Sequence, residues 1–133
     1  SPEITINTPN YAVEAKVKID ISGGLCGSGG VFARLHHKTQ AYVGGATNCL
    51  KKSLFINNRV SYNNIKLDNA SYEQSVDDRV ITLRLEVKDT TITLYVDGEA
   101  VVEIHDTSHN TSGSAGLFSD KPMEVYSFKI EAL

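Results

Sequence analysis

Residues 79–102 read RVITLRLEVKDTTITLYVDGEAVV, and this stretch decides the fold. Leu83, Leu85 and Val87 alternate with Arg84 and Glu86, and Ile92 and Leu94 alternate with Thr93 and Tyr95. Successive side chains of a strand point to opposite faces, so period two predicts strands with one apolar and one polar side. A loop over Lys88 to Thr91 that pairs Val87 with Ile92 keeps both apolar sets on one face. The next turn falls at Asp97-Gly98. A plain two-residue turn would set Leu94 and Ile92 beside Val101 and Glu103 and bury a carboxylate. A type I turn with Gly98 in the left-handed position of a bulge instead aligns Ile92 and Leu94 with Ala100, Val102 and Ile104. The opposite face, with Thr82, Arg84, Glu86, Thr93, Tyr95 and Glu103, reads as ordinary solvated surface, with a binding role as the rival reading.

The same alternation recurs outward from there. Tyr11 to Ile21 sets Val13, Ala15, Val17, Ile19 and Ile21 on one face with Glu14, Lys16, Lys18 and Asp20 between them. Further strands are predicted at about Gly30–His36, Ala41–Asn48, Ser53–Ile56, Val60–Leu67, Val80–Lys88, Thr91–Val96, Ala100–His105, Ala115–Ser119 and Met123–Ala132. Turn-forming residues separate them at Ser22-Gly23-Gly24, Asn57-Asn58, Asp77-Asp78, Asp97-Gly98 and Lys121-Pro122. No window of ten or more residues has a helical period. Many short strands at this spacing predict an all-β, antiparallel two-sheet sandwich. With 133 residues the chain suits a single domain, residues 1–133, large enough for a core of its own. Ser1-Pro2 reads as a cut point, which predicts a domain excised from a longer chain. The net charge of −3 argues against a nucleic-acid partner, and no apolar run approaches the ~18 residues of a membrane span.

Arg79 to Val102, followed by Gly113-Ser114-Ala115-Gly116-Leu117 and the closing strand Val125–Ile130, resembles the C-terminal half of concanavalin A-like jelly rolls. The nearest kind is the laminin G-like and levan-type carbohydrate-binding modules. Gly29-Gly30-Val31-Phe32-Ala33-Arg34, ahead of the Tyr42 strand, is similar to the segment those modules place upstream. The resemblance implies a jelly-roll β-sandwich and a glycan or polysaccharide partner. It also implies an extracellular or cell-surface setting beside other domains of a secreted enzyme, an adhesin or a phage tail protein. The laminin G-like alternative implies protein binding, with a structural calcium at the sandwich rim; a structural assembly domain is the third reading. No residue pattern demands a cofactor.

Catalysis finds no support. The laminarinase-like enzymes of this superfamily carry a Glu-x-Asp-x-x-Glu strand, because retaining glycosidases need two carboxyls about 5 Å apart. That spacing is missing, and Glu99 and Glu103 are four residues apart. There is no nucleophile-elbow pentapeptide, and His36-His37, His105 and His109 lack a metal-ligand spacing. Trp, frequent in sugar subsites, is absent.

The third and fourth strands carry the candidate ligand site. With His37 to Ala41 as the turn, His36 faces Tyr42 and Arg34 faces Gly44. Phe32, Arg34, His36, Tyr42, Gly44, Ala46 and Asn48 then share one face, and Val31, Ala33, Leu35, Ala41 and Val43 point to the core. Arg34, His36, Tyr42 and Asn48 would offer a planar five-donor guanidinium and a stacking ring to a sugar. The plainer reading pairs Arg34 with a carboxylate and lays Tyr42 over an apolar edge. In that register Cys49 faces Gly29, three residues from Cys26, so a Cys26–Cys49 disulfide is within geometric reach. It would contribute roughly 3 kcal/mol and imply an oxidising compartment; two reduced thiols are the alternative. Asn69-Ala70-Ser71 and Asn110-Thr111-Ser112 are formal glycosylation sequons.

Overall fold

A computed structural model of the chain describes residues 3–5, 8–19, 28–36, 40–47, 53–60, 63–70, 80–107, 109, 113–119 and 123–133. They form β1 (Glu3–Thr5), β2 (Tyr11–Ile19), β3 (Ser28–His36), β4 (Gln40–Thr47), β5 (Ser53–Val60), β6 (Asn63–Ala70), β7 (Val80–Lys88), β8 (Thr91–Val96), β9 (Glu99–His105), β10 (Ser114–Ser119) and β11 (Met123–Ala132). One sheet has the order β1-β10-β3-β4-β5-β6 and the other β11-β2-β7-β8-β9. All pairings are antiparallel.

The five-stranded sheet follows the alternation closely. Val13, Ala15 and Val17 of β2, Leu83, Leu85 and Val87 of β7, and Ile92 and Leu94 of β8 have no exposed surface. At roughly 1.5–3 kcal/mol for each fully buried aliphatic side chain, this layer dominates the stability of the fold. Val31 and Ala33 of β3, Tyr42 and Ala46 of β4, Leu54 and Ile56 of β5, and Ala115 and Leu117 of β10 meet it from the six-stranded sheet. The sheets approach closely at Gly44, where a Cβ would lie 3.0 Å from Leu85 Cδ1 and 3.2 Å from Leu94 Cδ1.

Val87 pairs with Ile92 as expected, but Lys88 also pairs with Thr91, so the connection tightens to two residues, with Asp89 at φ 53. At the next hairpin Ile92 meets Ile104 and Leu94 meets Val102, again as expected. The means differ. Asp97 (φ 52) and Gly98 (φ 86) both adopt left-handed backbone, the signature of a primed two-residue turn. Asp97 is held to β7, its N–H donating to the Thr82 carbonyl at 2.9 Å while its carboxylate accepts from the Thr82 N–H at 2.9 Å. The extra residue sits further along at Val101, between the Leu94–Val102 and Tyr95–Ala100 pairs. Ala100 is consequently exposed rather than part of the core.

Two other expectations change. Asn57-Asn58 is not a turn but the middle of β5, opposite Val43 and Tyr42. Asn58 is buried there, in hydrogen-bond contact with the His109 ring, so a polar residue continues the inward face of Leu54 and Ile56. The pairing of β3 with β4 also differs. Ser28, Gly30, Phe32 and Ala33 lie opposite Thr47, Gly45, Val43 and Tyr42, and a bulge between Ala33 and His36 shifts the strand end so that His36 meets Gln40. Tyr42, Gly44 and Ala46 therefore face inward. A strand slipped by one residue exchanges its faces, and Ala41 to Ala46 is apolar on both, so alternation alone does not choose.

Candidate functional site

Arg34 stands in the bulge with φ 54 and is fully buried. Its N–H donates to the Tyr11 hydroxyl at 2.6 Å. The guanidinium donates from Nε to the Pro9 carbonyl at 2.8 Å, and from one terminal nitrogen to the Asp89 and His109 carbonyls, both at 2.9 Å. The other terminal nitrogen reaches Asn10 Oδ1 at 3.4 Å. One side chain thus ties together the segment before β2, the β7–β8 turn and the segment between β9 and β10. Burial lowers the Arg34 pKa, and Tyr42, Tyr11 and Asp89 oppose the shift. Gly113 presses against the same bulge: a Cβ there would lie 2.6 Å from the Leu35 carbonyl oxygen, which is why the chain needs a glycine ahead of β10.

Tyr42 is also fully buried. Its hydroxyl donates to Asp106 Oδ2 at 2.6 Å and accepts from the His109 N–H at 3.2 Å. Its ring packs edge-on to His109, with centroids 5.0 Å apart. Desolvation raises the Tyr42 pKa, and the hydrogen bond to Asp106 adds to the rise. His36, half-buried, lies 6.3 Å from His109 between ring centroids. Arg34, His36 and Tyr42 do converge, but around His109 at one end of the sandwich rather than on an outer sheet face. Arg34 and Tyr42 have no surface to offer a ligand; their donors are spent on loops and neighbouring side chains. Asn48 lies outside the described residues, as do Cys26, Cys49 and Asn110.

The observed register exposes another set. Opposite to the core, the six-stranded sheet presents Phe118 of β10, Gly30 and Phe32 of β3, Val43 and Gly45 of β4, and Phe55 and Asn57 of β5. Gly30 pairs with Gly45 and with Phe118, and Gly45 pairs with Phe55. A Cβ on Gly30 would meet the Gly44 carbonyl oxygen at 2.2 Å and Phe118 Cε1 at 2.9 Å. The two-glycine floor lets the Phe55 and Phe118 rings lean together to 6.3 Å between centroids, although two strands separate theirs. Phe32 and Phe118 stay partly exposed, Val43 and Phe55 nearly closed, and Asn57 partly open. The result is an apolar, aromatic strip outside the core with an amide beside it. Sequence reasoning placed only Phe32 on the outer face; Phe55, Asn57 and Phe118 become neighbours only once the strand register is known.

The rival outer face, on the five-stranded sheet, is an ion-pair lattice. Arg84 meets Glu86 at 2.9 Å, Glu131 at 3.4 Å and Glu14 at 3.5 Å, and Lys129 bridges Glu131 at 2.7 Å and Glu14 at 3.3 Å. Burial works to lower the Arg84 pKa, but Glu86 and Glu131 outweigh it and raise it. Lys129 and Arg84 in turn lower the Glu131 pKa. These charges satisfy one another across β2, β7 and β11, as a solvated sheet surface does. Among the described residues no group of three or more His, Cys, Asp or Glu is placed to hold a metal ion.

No protein-family model and no curated protein matches the chain. Solved structures do. The carbohydrate-binding module CBM66 from Bacillus subtilis superposes with a TM-score of 0.79 at 13% identity, covering 99% of this chain and 78% of that one. Sheep galectin-11 gives 0.71 at 12% identity, covering 97% and 94%. The GH43 protein BlXynB from Bacillus licheniformis gives 0.69 at 11% identity, covering 93% of this chain but 28% of that one. At such identities the likeness is one of fold: a concanavalin A-like, lectin-type jelly-roll β-sandwich, as the residues from Arg79 onward led one to expect.

Proposed function

We propose that this domain is a non-catalytic glycan-binding module whose sugar-contacting surface is the outer face of the six-stranded sheet. The observation that carries the reading is the strip of Phe118, Phe32, Val43 and Phe55, which lies on the side of the sheet away from the core and is bordered by Asn57. Pyranose and furanose rings present a face of C–H groups that stacks on an aromatic ring, while their rims need amide or hydroxyl partners. A shallow aromatic strip on a rigid sheet suits that ligand. It also suits binding without turnover, because among the described residues of the strip, Phe118, Gly30, Phe32, Val43, Gly45, Phe55 and Asn57, none is a carboxylate. The fold likeness to a carbohydrate-binding module and to galectins supports a glycan as the partner. That the chain matches 28% of the longer BlXynB chain supports a place as one module of a larger host, which this reading sets outside the cell.

Arg34 and Tyr42 act in this reading through the loops they fasten, with His36 beside them near the His109 ring. The direct contacts fall to Phe32, Phe118 and Asn57. Binding to immobilised polysaccharides, followed by affinity electrophoresis, tests it. Phe32→Ala and Phe118→Ala should each weaken retention about tenfold or more, at roughly 1–3 kcal/mol per lost stacking contact, while Arg84→Ala on the other sheet leaves retention unchanged. Loss of retention in Arg84→Ala with full retention in both phenylalanine variants would move the site to the wrong sheet for this proposal.

A further inference from the structure

We infer that β11 is a self-association edge, at which a second copy of this chain extends the five-stranded sheet. β11 is ten residues long and ends that sheet, so among the described strands it pairs with β2 alone. A strand edge of that length presents a row of backbone N–H and C=O groups to a further strand. The core is also unfinished along it. Val125, Phe128 and Ile130 pair with Val17, Ala15 and Val13, which point inward and have no exposed surface. The same face of β11 is open: Val125 is 45% exposed, and Met123, Phe128 and Ile130 are only partly covered by the core they pack against. Glu124 and Lys129, paired with Lys18 and Glu14, lie on the outer face.

The sequence of β11 complements itself. Antiparallel pairing about a two-fold axis between Tyr126 and Ser127 sets Met123 opposite the partner's Ile130, Glu124 opposite the partner's Lys129 and Val125 opposite the partner's Phe128. Each inward apolar position meets another, and each outward charge meets its opposite, twice over by symmetry. Sliding by one residue either way would set inward side chains opposite outward ones. Sliding by two toward the chain end would set Glu124 opposite Glu131. Lys129 and a bulge are the usual devices that keep an edge from pairing, and the axis answers both. The bulge lies between Val125 and Ser127. Each copy has two residues, Tyr126 and Ser127, between Val125 and Phe128, so the bulges face each other and the register holds on either side. Lys129 gives two of its three donors to Glu131 at 2.7 Å and Glu14 at 3.3 Å. Glu124 accepts from the Tyr126 hydroxyl at 2.5 Å and has further lone pairs. An axis joining antiparallel edges stands perpendicular to the sheet, so both copies turn their six-stranded sheets to the same side. On the glycan reading above, the pair presents two aromatic strips to one surface and gains avidity; the pair itself does not depend on that reading.

Sedimentation equilibrium, with no glycan present, tests it. One strand and one apolar row make a small interface, so dissociation should fall in the range of about 10–100 μM. Glu124→Lys sets two lysines against each other at both symmetry-related places and should weaken association about tenfold or more, as should Lys129→Glu. The two substitutions together restore opposite charges and should bring association back toward that of the parent. Val125→Lys, which puts a charge into the apolar row, should abolish it. Should Lys129→Glu fail to fold after losing Glu131 and Glu14, Glu124→Lys and Val125→Lys decide. A protein that remains a single chain well above that concentration range overturns the inference. So does association that neither Glu124→Lys nor Val125→Lys weakens, and so do single reversals whose combination leaves association weak.

Discussion

Replacing Arg34 by alanine should cost the fold heavily, although its place in the sequence suggests an outward-facing ligand contact. The guanidinium holds three backbone carbonyls from three segments, at 2.8, 2.9 and 2.9 Å. Pro9 and Asp89 are exposed residues whose carbonyls regain water when the arginine is removed; His109 is buried, and its carbonyl does not. One stranded buried acceptor costs about 1–3 kcal/mol. Two charge-assisted bonds exchanged for water, and a void where a fully buried side chain stood, bring the total to about 3–5 kcal/mol. For a domain between the small and mid-sized classes, that lowers the melting temperature by roughly 10–20 °C. Arg34→Gly provides an internal comparison. The backbone at φ 54 strains any residue with a Cβ, so glycine should melt somewhat above alanine, by about 1 kcal/mol in stability. Differential scanning calorimetry of the three proteins settles it. Melting of Arg34→Ala within a few degrees of the parent would refute the account of Arg34 as the fastening of that end of the sandwich.

Substitution of Gly30 should be far more damaging than substitution of Gly44. A Cβ on Gly30 meets main chain at 2.2 Å, whereas one on Gly44 meets only leucine methyls at 3.0 and 3.2 Å; soluble yield and chemical denaturation of the two alanine variants should separate them, with Gly44→Ala losing about 1–3 kcal/mol. Stability should fall as pH rises above about 10. Desolvation raises the Tyr11 and Tyr42 pKa values, so the unfolded chain loses these protons first and is favoured in that window; urea titrations should show the slope flattened in Tyr42→Phe. The Cys26–Cys49 bridge expected from the sequence is tested by thiol titration of the denatured, unreduced protein, which should find no free thiol; two per chain would dispose of it. If the rim holds a structural calcium, adding calcium raises the melting temperature and chelation lowers it, since a ligand of the folded state alone stabilises it; an unchanged melt argues against that ion.

The parts of the fold legible in the sequence are those where one face is wet. β2, β7 and β8 alternate because their outer sides carry Glu14, Arg84, Glu86 and Thr93, so the period-two pattern fixes which residues point inward and, through Val87–Ile92 and Leu94–Val102, how the strands align. β4 is the opposite case. Ala41, Val43 and Gly45 on its outer side are as apolar as Tyr42, Gly44 and Ala46 on its inner side, and all six are buried. Two registers then satisfy the pattern equally, and the choice between them reverses every side chain. What selects the observed one is not visible locally: Gly44 yields to Leu85 and Leu94 across the core, and the Tyr42 hydroxyl finds Asp106, sixty-four residues away. β5 misleads for a related reason. Asn57-Asn58 has turn-forming chemistry, and only the buried His109 ring makes an inward asparagine acceptable in a strand.

The candidate site was hidden by that same uniformity, and the two facts have one cause. A strand apolar on both faces usually means a second layer packed over it. Among the described residues the outer side carries the sheet's own aromatic rings, Phe55 and Phe118, folded over a pair of glycines and flanked by Phe32 and Asn57. A domain that leaves such a strip on a sheet face, while covering its other sheet with mutually satisfied charges, has concentrated its capacity for apolar contact on one side. The loss of alternation in β4 is thus the trace that the proposed binding surface leaves in the sequence. Had the strand read as a clean polar–apolar alternation, its register would have been legible and its outer face would have been ordinary surface.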